Sequence, residues 1–179
     1  MPVIAVFLNG TVGVGKSTVA RAIGDLLAAE RVPNAVIDLD DLRRAWPAPS
    51  DDPFNSRLEL LNLRPMAANY IAAGARVLVL AGVIETLDAV ADYRSALGDA
   101  VLTVVRLTVD TEEAERRLIR RHDDDAAGLA WHRARFGELD AVIDAARIPG
   151  PTLDTTNTPP AALARLILSK AIEYGKSAL

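Results

Sequence analysis

Nine residues near the N-terminus have the types and spacing of a loop that binds phosphate groups. They fit the pattern G-x-x-x-x-G-K-[ST], whose glycines let successive backbone N–H groups point into one anion-sized hollow. The nine positions are Gly10, Thr11, Val12, Gly13, Val14, Gly15, Lys16, Ser17 and Thr18. In this pattern Lys16 is expected to reach the β- and γ-phosphates of a nucleotide, and the Ser17 hydroxyl is expected to bind magnesium.

The residues on either side of this phosphate loop supply the context that the pattern requires. Residues 3–8 form an apolar, β-branched run that is typical of a buried parallel strand. After the loop, apolar residues recur at helical spacing over residues 19–27. A strand, a glycine loop and a helix in this order predict binding of a nucleoside triphosphate, and they disfavour the alternative of a glycine-rich turn that binds nothing.

Composition narrows the class of protein. The 179 residues suit a single domain, residues 1–179, and half of them are hydrophobic. The net charge of −4 does not suggest a nucleic-acid partner, and no apolar run approaches the length of a membrane span. The absence of cysteine excludes disulfides and thiolate chemistry. A first strand at residue 3 leaves no room for a signal peptide, so we expect a cytoplasmic enzyme.

Predicted strands and helices alternate along the chain. The strands are predicted at residues 3–8, 35–39, 77–81, 101–109 and 152–154. Helices are predicted after the phosphate loop and at about 42–45, 54–73, 87–97, 111–121, 129–146 and 159–174. Asp110 is the expected N-cap of the fifth helix, with Glu113 completing a capping box. This alternation predicts an α/β fold in which helices cover both faces of a parallel sheet.

An acidic cluster follows the second predicted strand. In parallel sheets, ligands bind beyond the carboxyl ends of the strands, so Asp38 and Asp40 should lie beside the phosphate loop. As residues two apart on a strand they would share one face, whereas Asp41 better suits a helix N-cap. We predict that Asp40 orients or deprotonates an acceptor hydroxyl and that Asp38 supports magnesium. The alternative is that all three residues only cap a helix.

The phosphate loop together with residues 36–43 (VIDLDDLR) resembles the small P-loop kinases that phosphorylate metabolites or antibiotics. This group includes shikimate, gluconate and adenylylsulfate kinases, and residues 39–47 look most like chloramphenicol phosphotransferase. The resemblance implies a P-loop NTPase fold of the nucleoside-kinase type. Such a fold is a three-layer α/β/α sandwich around a five-stranded parallel sheet of order 2-3-1-4-5.

The resemblance also implies roles for other residues. Residues at about 116–135 would form a mobile lid, whose Arg117 would help bind the nucleotide and whose Arg120 and Arg121 would act in catalysis. The alternative is a solvated helix face, because acidic residues at its start and arginines at its end suit the helix dipole. Thr155 and Thr156 resemble the loop that contacts adenine, and a plain helix N-cap is the alternative there.

The segment at about 41–75 would enclose the acceptor, with Arg43 and Arg64 in contact with it. Its arginines favour an anionic acceptor, whereas Trp46 and Phe54 favour a ring, so the acceptor stays open. One departure from the relatives concerns the end of the third strand, where Ala81 stands in place of an aspartate that helps to hold magnesium. Asp38 or Glu85 would then take over this role, or Ser17 and the phosphates alone would hold magnesium.

The expected activity is therefore transfer of the γ-phosphate of ATP, with Mg2+ as cofactor, to a hydroxyl of a small-molecule acceptor. The alternatives are a nucleoside or nucleotide kinase, or a nucleotide-binding NTPase module without group transfer. A GTPase switch is disfavoured because the chain has neither Asn-Lys-x-Asp nor Asp-x-x-Gly after a strand. No pattern in the sequence indicates an oligomeric state.

Overall fold

The centre of the molecule is a five-stranded parallel sheet. In the computed structural model, which describes residues 2–122 and 124–177, its strands are β1 (Ile4–Asn9), β2 (Asn34–Asp38), β3 (Val77–Gly82), β4 (Val101–Thr108) and β5 (Thr152–Asp154). Their order is β2-β3-β1-β4-β5, and every neighbouring pair is parallel. This confirms the predicted topology.

Helices cover both faces of the sheet. They are α1 (Lys16–Ala29), α2 (Leu39–Leu42), α3 (Ser56–Ala72), α4 (Ala89–Leu97), α5 (Thr111–Arg121), α6 (Ala126–Ala146) and α7 (Pro160–Ser177). Alternate residues of β1 enter two separate cores, with Phe7 packed toward α3 and α4, and Leu8 toward α1 and α7. The result is the predicted three-layer α/β/α sandwich.

The phosphate loop turns sharply between β1 and α1. Gly13 and Gly15 have φ values of 76° and 96°, a left-handed conformation that side chains with a Cβ atom rarely adopt. At Gly10 the reason for glycine is space, since a Cβ atom would lie 2.8 Å from the carbonyl oxygen of Leu107. The glycines therefore shape the loop as the pattern predicted.

The acidic cluster is arranged differently from the prediction. Helix α2 begins at Leu39, not at residue 42, and Asp38 is its N-cap, with its carboxylate accepting a hydrogen bond from the Asp40 backbone N–H. Asp40 therefore lies on a helix and shares no strand face with Asp38, and Asp41 is not the cap. The strand ends early because the Asp38 side chain satisfies a helical N–H directly after it.

Helix α3 buries a face that matches the predicted one only in part, since Met66 and Ile71 are partly buried against the core and the fully buried residues are others. We expected Leu58, Leu61, Met66, Tyr70 and Ile71 to form its buried stripe. The buried residues are Glu59, Leu63 and Ala67, while the Leu61 residue is 71% exposed. The apolar pattern misled because a buried carboxylate occupies this face. Pro65 lies within the continuous helix and does not split it.

Candidate active site

A cavity of about 630 Å3 opens at the carboxyl ends of the strands. The phosphate loop, which includes Lys16 and Ser17, lines one part of the cavity together with Arg120 and Arg121 of α5. We call this part the phosphate side. The same cavity is lined by residues from α2 and the segment after it, the loop after β3, and α6, which we call the acceptor side. Asp38, Asp40 and Arg43 all line this one cavity, so the structure brings the loop and the acidic cluster together.

Lys16 lies at the base of the phosphate loop. Its Nζ donates hydrogen bonds to the carbonyl oxygens of Gly10 (2.8 Å) and Thr11 (3.0 Å). Burial lowers the pKa of Lys16 to about 8, although the nearby carboxylates of Asp40 and Asp38 oppose this shift. The ammonium is thus held where the loop converges, and it forms no ion pair among the described residues.

Asp40 is held by Arg43, one turn further along the chain. The Arg43 Nε donates to Asp40 Oδ1 at 3.0 Å, and its Nη2 also contacts that oxygen. No hydrogen bond to Asp40 Oδ2 is formed within the described part of the chain. This second oxygen is therefore available to accept a proton or a hydrogen bond from a bound molecule.

A buried carboxylate stands behind this pair. Glu59 of α3 is 2% exposed, accepts a hydrogen bond of 2.5 Å from the Tyr93 hydroxyl and lies 3.4 Å from Arg43 Nη1. Its burial raises its pKa, and the same burial together with the Glu59 carboxylate raises the pKa of Tyr93. Sequence reasoning placed Glu59 only within the acceptor segment, because nothing in the local pattern marked it as buried.

Arg117 joins the phosphate loop to the loop after β5. Its Nη1 donates to Val14 O (3.2 Å) and Thr155 Oγ1 (2.9 Å), and its Nη2 donates to Thr155 O (2.7 Å) and Thr156 O (3.4 Å). The buried Thr155 hydroxyl donates in turn to Val14 O at 2.9 Å. Arg117 and Thr155 thus fasten two loops together, and the Thr155 hydroxyl does not face the cavity.

The other arginines of α5 have different surroundings. Asp110 caps the helix as predicted, but its own backbone N–H donates to the Thr156 hydroxyl and not to Glu113, so the capping box is incomplete. The Glu113 carboxylate instead pairs with Arg116 and Arg117, and more distantly with Arg120 at 3.6 Å. Arg121 lines the cavity near Lys16 and forms no ion pair among the described residues.

Arg135 of α6 contacts several residues on the acceptor side of the cavity. Its Nη2 lies 2.5 Å from Glu85 Oε1, its Nη1 lies 3.1 Å from Glu138 Oε1, and its guanidinium lies 5.1 Å from the centre of the Phe54 ring. Arg64, in contrast, is exposed on α3, contacts Ser95 Oγ at 3.4 Å and does not line the cavity. The prediction that Arg64 contacts the acceptor is not supported by this position.

The two histidines of the chain lie next to each other, whereas their positions in the sequence predict isolated surface residues that form neither a catalytic triad nor a zinc site. The rings of His122 and His132 lie 4.5 Å apart, and the His122 side chain is 10% exposed. His132 lines the cavity. His122 directly follows α5 and His132 lies in α6, and their ten-residue separation in the sequence gave no sign of this contact.

The residues present suit a magnesium ion in their chemistry. The Ser17 hydroxyl and the Asp38 carboxylate line the same cavity, and hard oxygen atoms are the ligands that Mg2+ prefers. Magnesium usually keeps several waters and binds one or two protein groups plus substrate phosphates. This agrees with the finding that no three His, Asp or Glu side chains cluster at metal-binding distance in residues 2–122 and 124–177. Glu85, the alternative to Asp38, has its carboxylate engaged by Arg135.

Solved structures of small-molecule kinases share this fold over nearly their whole length. A gluconokinase from Sinorhizobium meliloti 1021 superimposes with a TM-score of 0.64, at 17% identity, over 98% of this chain and 95% of its own. An APS kinase from Mycobacterium tuberculosis in complex with AMPPNP and APS gives 0.64 at 24% identity, over 97% and 99%. A shikimate kinase from Acinetobacter baumannii in complex with shikimate gives 0.59 at 19% identity, over 96% and 94%.

The sheet order, the phosphate loop and the cavity define a P-loop protein with a nucleoside-kinase-like fold. The chain belongs to the AAA domain family, whose sequence profile matches residues 6–146. No curated protein matches the sequence. Within the described ranges, no helix is long and apolar enough to cross a membrane.

Proposed function

We propose that this protein transfers the γ-phosphate of ATP to a hydroxyl group of a small-molecule acceptor in the cytoplasm. The observation that carries the proposal is the single cavity that joins Lys16 of the phosphate loop to the Asp40–Arg43 pair. Phosphoryl transfer needs a site that holds the phosphates and a group that orients the attacking hydroxyl. Residues suited to both tasks line this one cavity. The kinase names of the similar structures agree with this activity.

The phosphate side holds and neutralises the triphosphate. Backbone N–H groups of the phosphate loop bind the phosphate oxygens, and the Lys16 ammonium, turning from the Gly10 and Thr11 carbonyl groups, contacts the β- and γ-phosphates. Arg120 and Arg121 stabilise the charge that develops on the transferred group. Thr155 and Thr156 shape the adenine site through the hydrogen bonds that their carbonyl groups accept from Arg117.

The acceptor side orients the nucleophile. Asp40 Oδ2 accepts the hydrogen bond of the acceptor hydroxyl and then its proton, while Arg43 fixes the carboxylate through Oδ1. Ser17 and Asp38 would hold magnesium, which supplies charge neutralisation on the phosphates. The segment at about 41–75 and the lid at about 116–135 exclude water, so that the phosphoryl group passes to the acceptor.

A nucleoside or nucleotide kinase would use the same residues and differ only in the acceptor. A binding module without catalysis would need neither Asp40 nor its support by Arg43 and the buried Glu59. This arrangement favours group transfer over simple nucleotide binding.

The test is ADP formation from ATP across a panel of sugars, sugar acids, nucleosides, aminocyclitols and phenicols. The comparison is between the wild type, Asp40→Asn and the matched control Asp41→Asn, because Asp41 is the exposed next residue of α2 and pairs with the exposed Arg44 instead of Arg43. We expect an acceptor-dependent rate that falls by at least about 100-fold in Asp40→Asn and changes little in Asp41→Asn. Slow ATP loss that no acceptor and neither variant alters would contradict the proposal.

A further inference from the structure

The arginines of the acceptor side are all neutralised by carboxylates of the protein itself. Arg43 pairs with Asp40 and with the buried Glu59, and Arg44 pairs with Asp41 at 3.0 Å. The third arginine of this side pairs with two glutamates of its own surroundings, as described above. Three guanidinium groups therefore face five carboxylates, and none of the three is left with an unpaired positive charge.

The phosphate side has the opposite character. Lys16 and Arg121 both line the cavity, and neither forms an ion pair among the residues that the structure describes. Burial is the main cause that lowers the pKa of Lys16; Arg121 adds to this effect, whereas the carboxylates of Asp40 and Asp38 oppose it. In the described part of the chain, the cations without an ion pair therefore belong to the phosphate side, and the three arginines of the acceptor side are each paired with a carboxylate.

A few apolar and aromatic side chains lie among the charged residues that line the cavity. Phe54 and Trp131 line the cavity with 42% and 51% of their surfaces exposed, and Val83 and Leu139 line it as well. Exposed aromatic faces in a cavity favour a ligand that has a flat or apolar surface of its own.

We infer that the acceptor carries no carboxylate, phosphate or sulfate group and presents a ring or apolar face to Phe54 and Trp131 beside the hydroxyl that is phosphorylated. This inference rests on the proposed function and names the class of its acceptor. An anionic acceptor would have to displace a carboxylate from Arg43 or Arg135, and the half-buried position of both arginines makes that exchange costly. The sequence left open whether the acceptor is an anion or a molecule with a ring, and this inference favours the molecule with a ring.

The experiment uses Trp131 as a reporter inside the cavity. The chain has two tryptophans, and Trp46 is 93% exposed and does not line the cavity, so the Trp46→Phe protein reports from Trp131 alone. Binding of a non-hydrolysable ATP analogue is first measured by calorimetry. The analogue-saturated protein is then titrated with matched pairs: thymidine against its 5′-monophosphate, and methyl shikimate against shikimate. Transfer of phosphate from ATP to each compound is measured in parallel.

The expected result is saturable quenching by at least one uncharged compound, with binding at least about tenfold tighter than that of its anionic partner. Equal or tighter binding of the anionic partners, or no saturation by any uncharged compound, would overturn the inference. If the ATP analogue binds and an anionic compound is phosphorylated, the inference fails while the proposed function stands. Failure of the analogue to bind removes the proposed function itself.

A variant that removes one carboxylate partner of Arg135 gives a second test. Glu85→Gln removes one partner of Arg135 and should shift the affinity ratio toward the anionic compounds by about tenfold. Asp144→Asn is the matched control, because it likewise removes one of the two carboxylate partners of a largely buried arginine, Arg106, which does not line the cavity, so its ratio should change less than about twofold. An equal response of the two variants would contradict the role of the paired charge.

Discussion

The arrangement at Asp40 depends on residues that are far apart in the sequence. Asp40 is held by Arg43, which lies against Glu59, which accepts the hydroxyl hydrogen of Tyr93 on α4. An acid on an otherwise apolar helix face carries no local signal of burial. Its role becomes visible only when α3 packs against α4, so the sequence predicted Asp40 and Arg43 but not the residues that position them.

The buried Glu59 makes a stability prediction. Glu59→Ala leaves the Tyr93 hydroxyl and one side of Arg43 without a partner, and it should lower the free energy of unfolding by about 1–3 kcal/mol. Glu59→Gln keeps the size and one hydrogen-bond acceptor, and should cost less. Urea unfolding monitored by circular dichroism measures both variants.

Glu59 also determines the direction in which the stability of the protein should change with pH. Because burial raises the pKa of Glu59 above its ordinary 4.5, the folded state binds the proton more tightly than the unfolded state. Its contribution to stability is full below pH 4.5 and is lost as the pH rises through the raised pKa. The wild type should therefore lose stability relative to Glu59→Gln over this window. Parallel stability curves for the two proteins would show that Glu59 does not titrate in this way.

Lys16 predicts that nucleotide binding takes up a proton in mildly alkaline solution. With a pKa of about 8, Lys16 is largely neutral at pH 9 in the nucleotide-free protein. A bound triphosphate favours the charged ammonium, so binding at this pH takes up a proton. Calorimetric titration with ATP analogue at pH 9, in two buffers of different ionisation enthalpy, should show uptake of up to one proton. The uptake should be smaller at pH 7. Lys16→Met should abolish the difference, and an uptake unchanged by this variant would assign the proton to another group.

At the scale of helices and strands, residue spacing predicted the elements well, but it predicted some of their boundaries less well. The glycine loop, the parallel strands and the Asp110 cap followed from local chemistry. The start of α2 did not, because Asp38 ends the strand by capping a helix that the sequence placed three residues later. Packing also explains why glycine stands at the end of β3. A Cβ atom on Gly82 would lie 2.5 Å from Leu39 Cδ1, so this position has little space for a larger side chain.

Helix α5 fastens the nucleotide loops, and this makes its arginines unequal. Arg117→Ala removes the hydrogen bonds to Val14 and Thr155 and should weaken affinity for ATP analogue by about tenfold, since two loops lose their shared donor. Arg116 is the matched control on the same helix because its side chain is 56% exposed and pairs with Glu113, and it makes no hydrogen bond to Val14 or Thr155 among the described residues. Arg116→Ala should change affinity less than about twofold. Calorimetry measures both, and similar losses would show that helix charge alone matters.

At the scale of the whole molecule, the cavity brings together residues that are far apart in the sequence, between Val12 and Leu139, at the carboxyl ends of the strands. The phosphate loop follows β1, the acidic cluster follows β2, and Arg135 reaches Glu85 after β3. This gathering follows from parallel strands, whose carboxyl ends share one edge. The topology was therefore sufficient to predict that Asp38 and Asp40 meet the loop. The neutralisation of the acceptor-side arginines required the actual packing of α3 and α6, which no local pattern contains.

The most direct test of the central claim follows the fate of the γ-phosphate by phosphorus NMR. Wild-type protein is incubated with ATP, Mg2+ and the uncharged compounds that quench Trp131, and then in their absence. Group transfer predicts a new phosphate ester that appears with ADP in equal amounts, requires the acceptor, and is lost in Asp40→Asn but not in Asp41→Asn. Release of inorganic phosphate at the same rate with and without acceptor, in all three proteins, would contradict the account.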